Sequence, residues 1–156
     1  MMLTLSLEVN NLYSALKAPE ETTKRLMEML HSSGRFPISG GDLSIAFVSD
    51  EQIAQVHNDH IGNPTATDVI TFPANNDMGS AGEIIVSVDR ARSCAKKLKV
   101  PFTRELCLYL IHGWLHLASY DDKDEPSSVK MREAEQEALD MLEELDVPLE
   151  FTLSKI

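Results

Sequence analysis

Two histidines spaced four residues apart, followed by a group of aspartates, are the side chains of this chain best suited to chemistry. On an α-helix His112 and His116 lie one above the other, so both rings can present a nitrogen to one point. A chain that turns back after this helix can bring Asp121, Asp122 or Asp124 to the same point. Three protein ligands that leave a coordination position open are typical of catalytic zinc sites, in which the cation acidifies a bound water. The spacing therefore predicts one divalent metal ion in a hydrolytic site.

The sequence also allows purely structural roles for the same residues. Two histidines at helical spacing can be half-buried packing residues. The aspartates after Tyr120 can form a solvated turn before a helix N-terminus, where carboxylates are favoured. Among hydrolases, a metallopeptidase is the less favoured reading. The zinc-peptidase signature carries a glutamate general base directly after its first histidine, and this chain has Gly113 there.

Hydrophobic periodicity predicts an α+β fold, with a single mixed sheet of about four strands covered by about five helices. A capping box of Ser49 and Gln52 begins one helix, and Thr103 is predicted to cap the helix that carries the two histidines. A polar stretch, 74–82, is predicted to be a loop. The predicted strands are 3–9, 43–48, 69–72 and 84–88, and the predicted helices are 19–31, 49–60, 89–98, the histidine helix from 103, and 126–145.

Length and composition fit one domain that spans residues 1–156. No run of residues approaches the roughly 18 apolar residues of a membrane span, and the N-terminus alternates instead of forming a signal-peptide core. We therefore expect a cytoplasmic protein without a membrane partner. Cys94 and Cys107 lie in apolar helical contexts and form no CxxC pair, so they are predicted to be buried, reduced thiols.

The segment around the two histidines resembles the signature of the YbeY family of bacterial metal-dependent endoribonucleases, His-Gly-x-Leu-His-Leu-x-Gly-Tyr-Asp-His, whose three histidines bind zinc. Segment 67–73 is similar to the family's Thr-Asp-Val-Leu-Ser-Phe-Pro strand, 82–87 to its Gly-Asp-Ile-x-Ile-Ser strand, and 131–139 to its closing helix. The similar segments occur in the family's order within residues 43–145. The residues that match the histidine signature are His112, Gly113, Leu115, His116, Leu117, Tyr120 and Asp121.

This resemblance implies a zincin-like fold and a single-strand-specific endoribonuclease that acts in 16S rRNA 3′ end processing, ribosome maturation and ribosome quality control. It implies ribosomal RNA and the small ribosomal subunit as partners, and zinc as the most expected cofactor. The implied metal ligands are His112, His116 and Asp122, the last standing where the family has its third histidine. The sequence assigns no catalytic general base.

Three departures from the family pattern affect the expected mechanism. Asp122 can bind zinc at a distance similar to that of histidine, but its charge should make the ion a weaker Lewis acid and favour harder ions such as manganese. Ser119 replaces a glycine, so the turn is expected to be strained or rerouted. Ile61 stands where the family has an arginine associated with phosphate contact or catalysis. These departures leave open a ribosome-assembly factor that binds a metal but has little or no catalytic activity.

The charge of the chain is unevenly distributed. The formal net charge is −11, and residues 119–150 hold twelve acidic and three basic side chains. Residues 88–104 instead hold six basic side chains and one acidic side chain. Such a cluster can neutralise phosphates or form a solvated helix face. The family resemblance favours phosphate contact, with Arg90, Lys97 and Arg104 as the predicted substrate-binding residues. Trp114 is expected to be a packing residue, and His57 and His60 are expected to be surface or structural residues.

Overall fold

The computed structural model describes residues 5–146 and 148–154, and its elements follow the predicted α+β order. Leu3 and Thr4, predicted to begin the first strand, lie outside the described residues. The strands are β1 (Leu5–Asn11), β2 (Leu16–Lys17), β3 (Gly41–Val48), β4 (Val69–Phe72), β5 (Ser80–Ser87) and β6 (Thr152–Leu153). The helices are α1 (Glu20–Ser33), α2 (Asp50–Ile61), α3 (Val88–Leu98), α4 (Phe102–Leu117) and α5 (Glu125–Glu143).

The main sheet is mixed and has the order β1-β3-β5-β4. Strands β1, β3 and β5 are parallel, and β4 runs antiparallel to β5. This arrangement confirms the predicted four-stranded mixed sheet. Strand β5 begins at Ser80 rather than at residue 84, because its first residues pair with β3 although their composition is typical of a loop. The short antiparallel pair of β2 and β6 was not predicted, since two-residue strands show no periodicity.

The helix starts show one success and one error of the sequence predictions. The capping box at Ser49 is confirmed, because its side chain accepts from the Gln52 N–H and the Gln52 side chain accepts from the Ser49 N–H. The predicted cap at Thr103 is wrong, because α4 begins at Phe102 without a side-chain cap. The Thr103 hydroxyl instead donates to the Phe151 carbonyl at 3.3 Å and accepts from the Phe151 N–H at 3.0 Å. A contact distant in sequence thus replaces the local one.

Helix α4 lies at the centre of the hydrophobic core. Leu106, Leu110 and Trp114 are fully buried, and the Trp114 indole donates to the Phe36 carbonyl at 2.9 Å, which confirms its packing role. Gly113 lies directly on β5, where an added Cβ would stand 2.6 Å from Cγ2 of Ile84. Any larger residue there would push the helix off the sheet, so glycine sets the close approach of α4 to β5.

The two cysteines are both free thiols, Cys107 buried and Cys94 half-buried rather than fully buried as predicted. Over the residues that the structure describes, no helix combines the length and the apolar composition needed to cross a membrane.

Candidate metal centre

The two histidine rings of α4 meet at the point that their spacing predicts. Nε2 of His112 and Nε2 of His116 are 3.0 Å apart, and the ring planes are nearly perpendicular. The opposite side of the helix is buried in the core, which fixes the backbone from which both rings project. Both side chains are half-buried, so the nitrogens are held by protein yet remain reachable from outside.

The turn after α4 brings an aspartate back to these rings. Ser119 adopts a left-handed conformation with φ +76°, as expected where it replaces a glycine. Its N–H donates to the His116 carbonyl at 3.1 Å, and the Tyr120 N–H donates to the Leu115 carbonyl at 2.9 Å. These two bonds form a Schellman motif, which ends the helix and reverses the chain. Two residues later, Oδ2 of Asp122 lies 3.6 Å from Nε2 of His112.

Of the three aspartates predicted as possible third ligands, only Asp122 joins the two histidines. One ligand atom from each of the three residues lies within 4.8 Å of the others, the single such cluster in the described ranges 5–146 and 148–154. Oδ1 of Asp121 accepts from the Lys123 N–H, and Asp124 caps α5 by accepting from the Ser127 N–H. The helix-start interpretation of the acidic turn therefore holds for Asp124.

A second carboxylate, which the sequence did not identify, orients His112 from α5. Nδ1 of His112 lies 2.8 Å from Oε2 of Glu135. Because an ionised carboxylate can only accept, Nδ1 must carry the proton, and Nε2 of the neutral ring keeps its lone pair. Nε2 of His116 faces the same nitrogen of His112. Both rings thus present Nε2 to the same point, while Glu135 holds the other nitrogen of His112.

The surroundings of the cluster shift the pKa values of the two histidines in opposite directions. Burial lowers the pKa of His112, but the hydrogen bond and charge of Glu135, with the charges of Asp68 and Asp122, outweigh it and leave this pKa raised. Burial lowers the pKa of His116, and the positive charge of His112 lowers it further. In the metal-free protein His112 therefore takes up a proton before His116. A cation at the cluster would compete with that proton, as metals do at histidine sites.

The donor set fits a divalent cation. Tetrahedral zinc with Zn–N bonds of about 2.0–2.1 Å places two ring nitrogens about 3.3 Å apart, close to the separation found here. Glu135 on Nδ1 of His112 is the kind of partner that usually orients a metal-ligating histidine. Two imidazoles and one carboxylate leave room for a further ligand from solvent. His112, His116 and Asp122 could therefore hold one ion, while Glu135 would fix the His112 ring.

The predicted substrate-binding residues lie in different places. Arg90 is half-buried on α3 and donates to the Ala66 carbonyl at 3.3 Å, beside the segment before β4. Lys97 is exposed on α3. Arg104 lies 4.0 Å from Glu143 of α5 and about 12 Å before His112 along the axis of α4. Arg90 is thus the one of the three that a described contact ties to the segment containing Asp68.

The remaining residues singled out from the sequence lie outside the cluster. Ile61, in place of the family's arginine, ends α2 with an exposed side chain. Nδ1 of His57 lies 3.0 Å from the Thr65 carbonyl, and the His60 ring packs edge-on against Phe72. Both histidines therefore have the surface or structural roles expected of them.

Comparisons with known proteins identify the family of this chain. The family model described as Endoribonuclease YbeY matches residues 8–143. The chain is 35% identical over 129 residues to the Endoribonuclease YbeY of Halalkalibacterium halodurans, covering 72% of this chain and 80% of that protein. It is 31% identical over 142 residues to that of Chlorobium phaeobacteroides, covering 90% and 100%.

A solved structure shows the same architecture. The solution structure of TM1509 from Thermotoga maritima superposes with a TM-score of 0.62 at 26% identity, covering 86% of this chain and 87% of that one. Because the family model matches most of the chain, from residue 8 to residue 143, the chain belongs to the YbeY endoribonuclease family.

Proposed function

We propose that this chain is a single-strand-specific, metal-dependent endoribonuclease that acts on ribosomal RNA at the 3′ end of 16S rRNA, in contact with the small ribosomal subunit. The observation that carries the proposal is the convergence of His112, His116 and Asp122 on one point, with Glu135 fixing the first ring. Family membership supports RNA as the substrate class. Zinc is the ion that we expect.

The chain's own residues supply positioning and charge. A divalent ion held there would supply a Lewis acid for a phosphodiester oxygen and make a bound water acidic enough to attack near neutral pH. Glu135 keeps the proton of His112 on Nδ1, so that Nε2 can serve as a ligand. Asp122 would add a negative charge that three imidazoles would not. That charge would favour tight binding of a hard cation but make the cation a weaker Lewis acid. Exposed lysines on α3 offer counter-charges for phosphates.

The geometry does not support a metallopeptidase. Gly113, at the position where zinc peptidases carry their glutamate base, faces Ile84 of β5 rather than the cluster. A side chain there would meet the sheet and could not reach a water beside the histidines.

The test uses purified protein and a ribosomal RNA precursor that carries an unprocessed 16S 3′ end. We expect about one ion per chain by elemental analysis and endonucleolytic cleavage in added zinc or manganese. His116→Ala should lose both, whereas the control His60→Ala, which removes an imidazole outside the cluster, should keep both. Cleavage by His116→Ala at the wild-type rate would contradict the proposal. Bound metal and subunit association without cleavage under any metal would instead favour the assembly factor.

A further inference from the structure

A polar cavity lies beside the metal centre along α4. It has a volume of about 230 Å³ and is lined by Ala66, Thr67 and Asp68 before β4, by Arg90 and Cys94 of α3, and by Tyr109 of α4. Tyr109 precedes His112 by one helical turn, which is about 5 Å along the axis. Successive nucleotides of a stacked strand are about 3.4 Å apart. Tyr109, which lines the cavity, is therefore one or two nucleotide spacings from His112 along the axis, and the charge of Asp68 on the cavity wall acts on His112.

The inner side of the cavity is formed by Tyr109, a buried side chain of α4. Tyr109 is only 5% exposed and is hydrogen-bonded to Glu105, which lies one turn earlier on α4 and is 6% exposed. Tyr109 is also hydrogen-bonded to Cys94 of α3. These contacts of Tyr109 connect α3 and α4 beside the cavity.

The rim of the cavity offers one anion-binding group and one hydroxyl-binding group. Arg90 donates to the Ala66 carbonyl through Nη2, and a guanidinium has five N–H donors in all. Both described hydrogen bonds to the Asp68 carboxylate, from the Val69 N–H at 2.8 Å and the Thr67 hydroxyl at 3.4 Å, fall on Oδ1. The second oxygen of this exposed carboxylate can accept from a ligand. A guanidinium beside a carboxylate suits a unit that carries both a phosphate and a hydroxyl.

We propose that this cavity is a ribose-phosphate subsite for the nucleotide next to the cleaved bond, with Asp68 accepting a hydrogen bond from the 2′-hydroxyl and Arg90 contacting the phosphate. The proposal rests on the proposed function, since it takes RNA as the substrate. DNA lacks the 2′-hydroxyl and would leave Asp68 without that donor. The subsite thus selects RNA over DNA without reading the base.

The test measures binding rather than cleavage. Fluorescence anisotropy with metal chelated gives dissociation constants for a 12-mer of oligouridylate and for its deoxy counterpart. We expect the wild type to prefer RNA about tenfold, as one hydrogen bond to a charged group can provide. Asp68→Ala should reduce the preference to less than about threefold, and Asp68→Asn, which keeps an acceptor for the Val69 N–H, should lie between.

A second variant tests the phosphate contact. Arg90→Gln should weaken the binding of RNA and of DNA equally. It should also reduce the dependence of log affinity on log salt concentration by the equivalent of about one phosphate contact. Lys96→Gln, an equal loss of charge from an exposed position on the same helix, is the control and should change the slope less. Thermal melts show whether each variant is folded. If Arg90→Gln does not fold, Arg90→Lys, which keeps the charge, is measured as well.

Three results would each overturn the subsite: no preference for RNA in the wild type, an unchanged preference in Asp68→Ala, or Arg90→Gln behaving like Lys96→Gln. The outcome is separable from that of the proposed function, because no cleavage is measured. A protein that prefers RNA through Asp68 but never cuts it would refute only the nuclease. One that cuts RNA with its preference unaffected by Asp68 would refute only the subsite.

Discussion

The two carboxylates that flank His112 reach it from different kinds of structure. Glu135 projects from the middle of α5, is 16% exposed, and lies 2.8 Å from Nδ1. Asp122 lies in the turn after α4, is 47% exposed, and stands 3.6 Å from Nε2. The half-buried carboxylate makes a direct hydrogen bond and orients the ring, whereas the exposed one leaves a gap suited to a shared cation. We therefore expect position relative to the ring, not residue type, to separate an orienting acid from a ligating one.

The sharpest way to break this comparison is to remove the proposed ligand. Asp122→Ala should lower zinc affinity more than about 100-fold, beyond the range of about 10- to 100-fold typical of an orienting partner. A competition titration with a chromophoric chelator measures it. Asp121→Ala, which removes a neighbouring carboxylate bonded to the Lys123 N–H, is the control. An affinity for Asp122→Ala within about threefold of that of Asp121→Ala would mean that Asp122 is not a ligand.

Replacing the same ligand sharpens the electrostatic part of the comparison. Asp122→His should retain zinc and shift the pH profile of cleavage to lower pH, because it removes a negative charge beside the ion. Rates measured from pH 5 to 9 test this. A profile that stays in place would show that the charge of Asp122 does not influence the reaction.

Removing the orienting carboxylate should have the next largest effect. Glu135→Gln keeps the size of the side chain but loses the charge that holds the proton on Nδ1 of His112, so zinc affinity should fall by about 10- to 100-fold. Glu133→Gln, an exposed glutamate on the same helix, is the matched control. A loss of zinc affinity equal to that of Asp122→Ala would contradict the distinction between an orienting and a ligating carboxylate.

The pH dependence of stability in the metal-free protein tests the contact between Glu135 and His112. The pKa of His112 is raised in the folded state, so the stability that this proton provides is present below the unfolded pKa of about 6.5 and is lost as pH rises through the folded pKa. The Tm of wild type should therefore exceed that of Glu135→Gln most near pH 6, and the difference should shrink toward pH 8. Calorimetry in chelator measures it, and a difference independent of pH would contradict the assigned cause.

The smallest expected effect concerns the turn that delivers Asp122. Ser119→Gly relieves a left-handed conformation that costs a non-glycine residue about 1–2 kcal/mol, partly offset by the greater freedom of glycine in the unfolded chain. A net gain of about 0.5–1 kcal/mol in the free energy of unfolding, with unchanged metal affinity, should appear in urea melts. A loss of affinity would show that the strained turn helps to position Asp122.

Residues close together in sequence could be predicted well, and residues brought together by packing could not. The i,i+4 pair of His112 and His116 follows from helix geometry, and the Ser49 capping box is a local motif that the structure confirms. Thr103 has the local features of a cap, yet a tertiary contact with Phe151 takes its hydroxyl. Glu135, 23 residues from His112, had no signal beyond lying in the segment similar to the family's closing helix.

The sequence by itself determined the order of strands and helices, the two histidines on one helix face, and three aspartates within reach of them, because each depends on short-range periodicity and spacing. Only the tertiary structure decided which aspartate turns back, which distant glutamate holds His112, and that Arg90 and Asp68 share a cavity with Tyr109. Those choices depend on how α3 and α5 pack against α4, and α4 against β5. Side chains far apart along the chain meet only when a buried core fixes the elements that carry them.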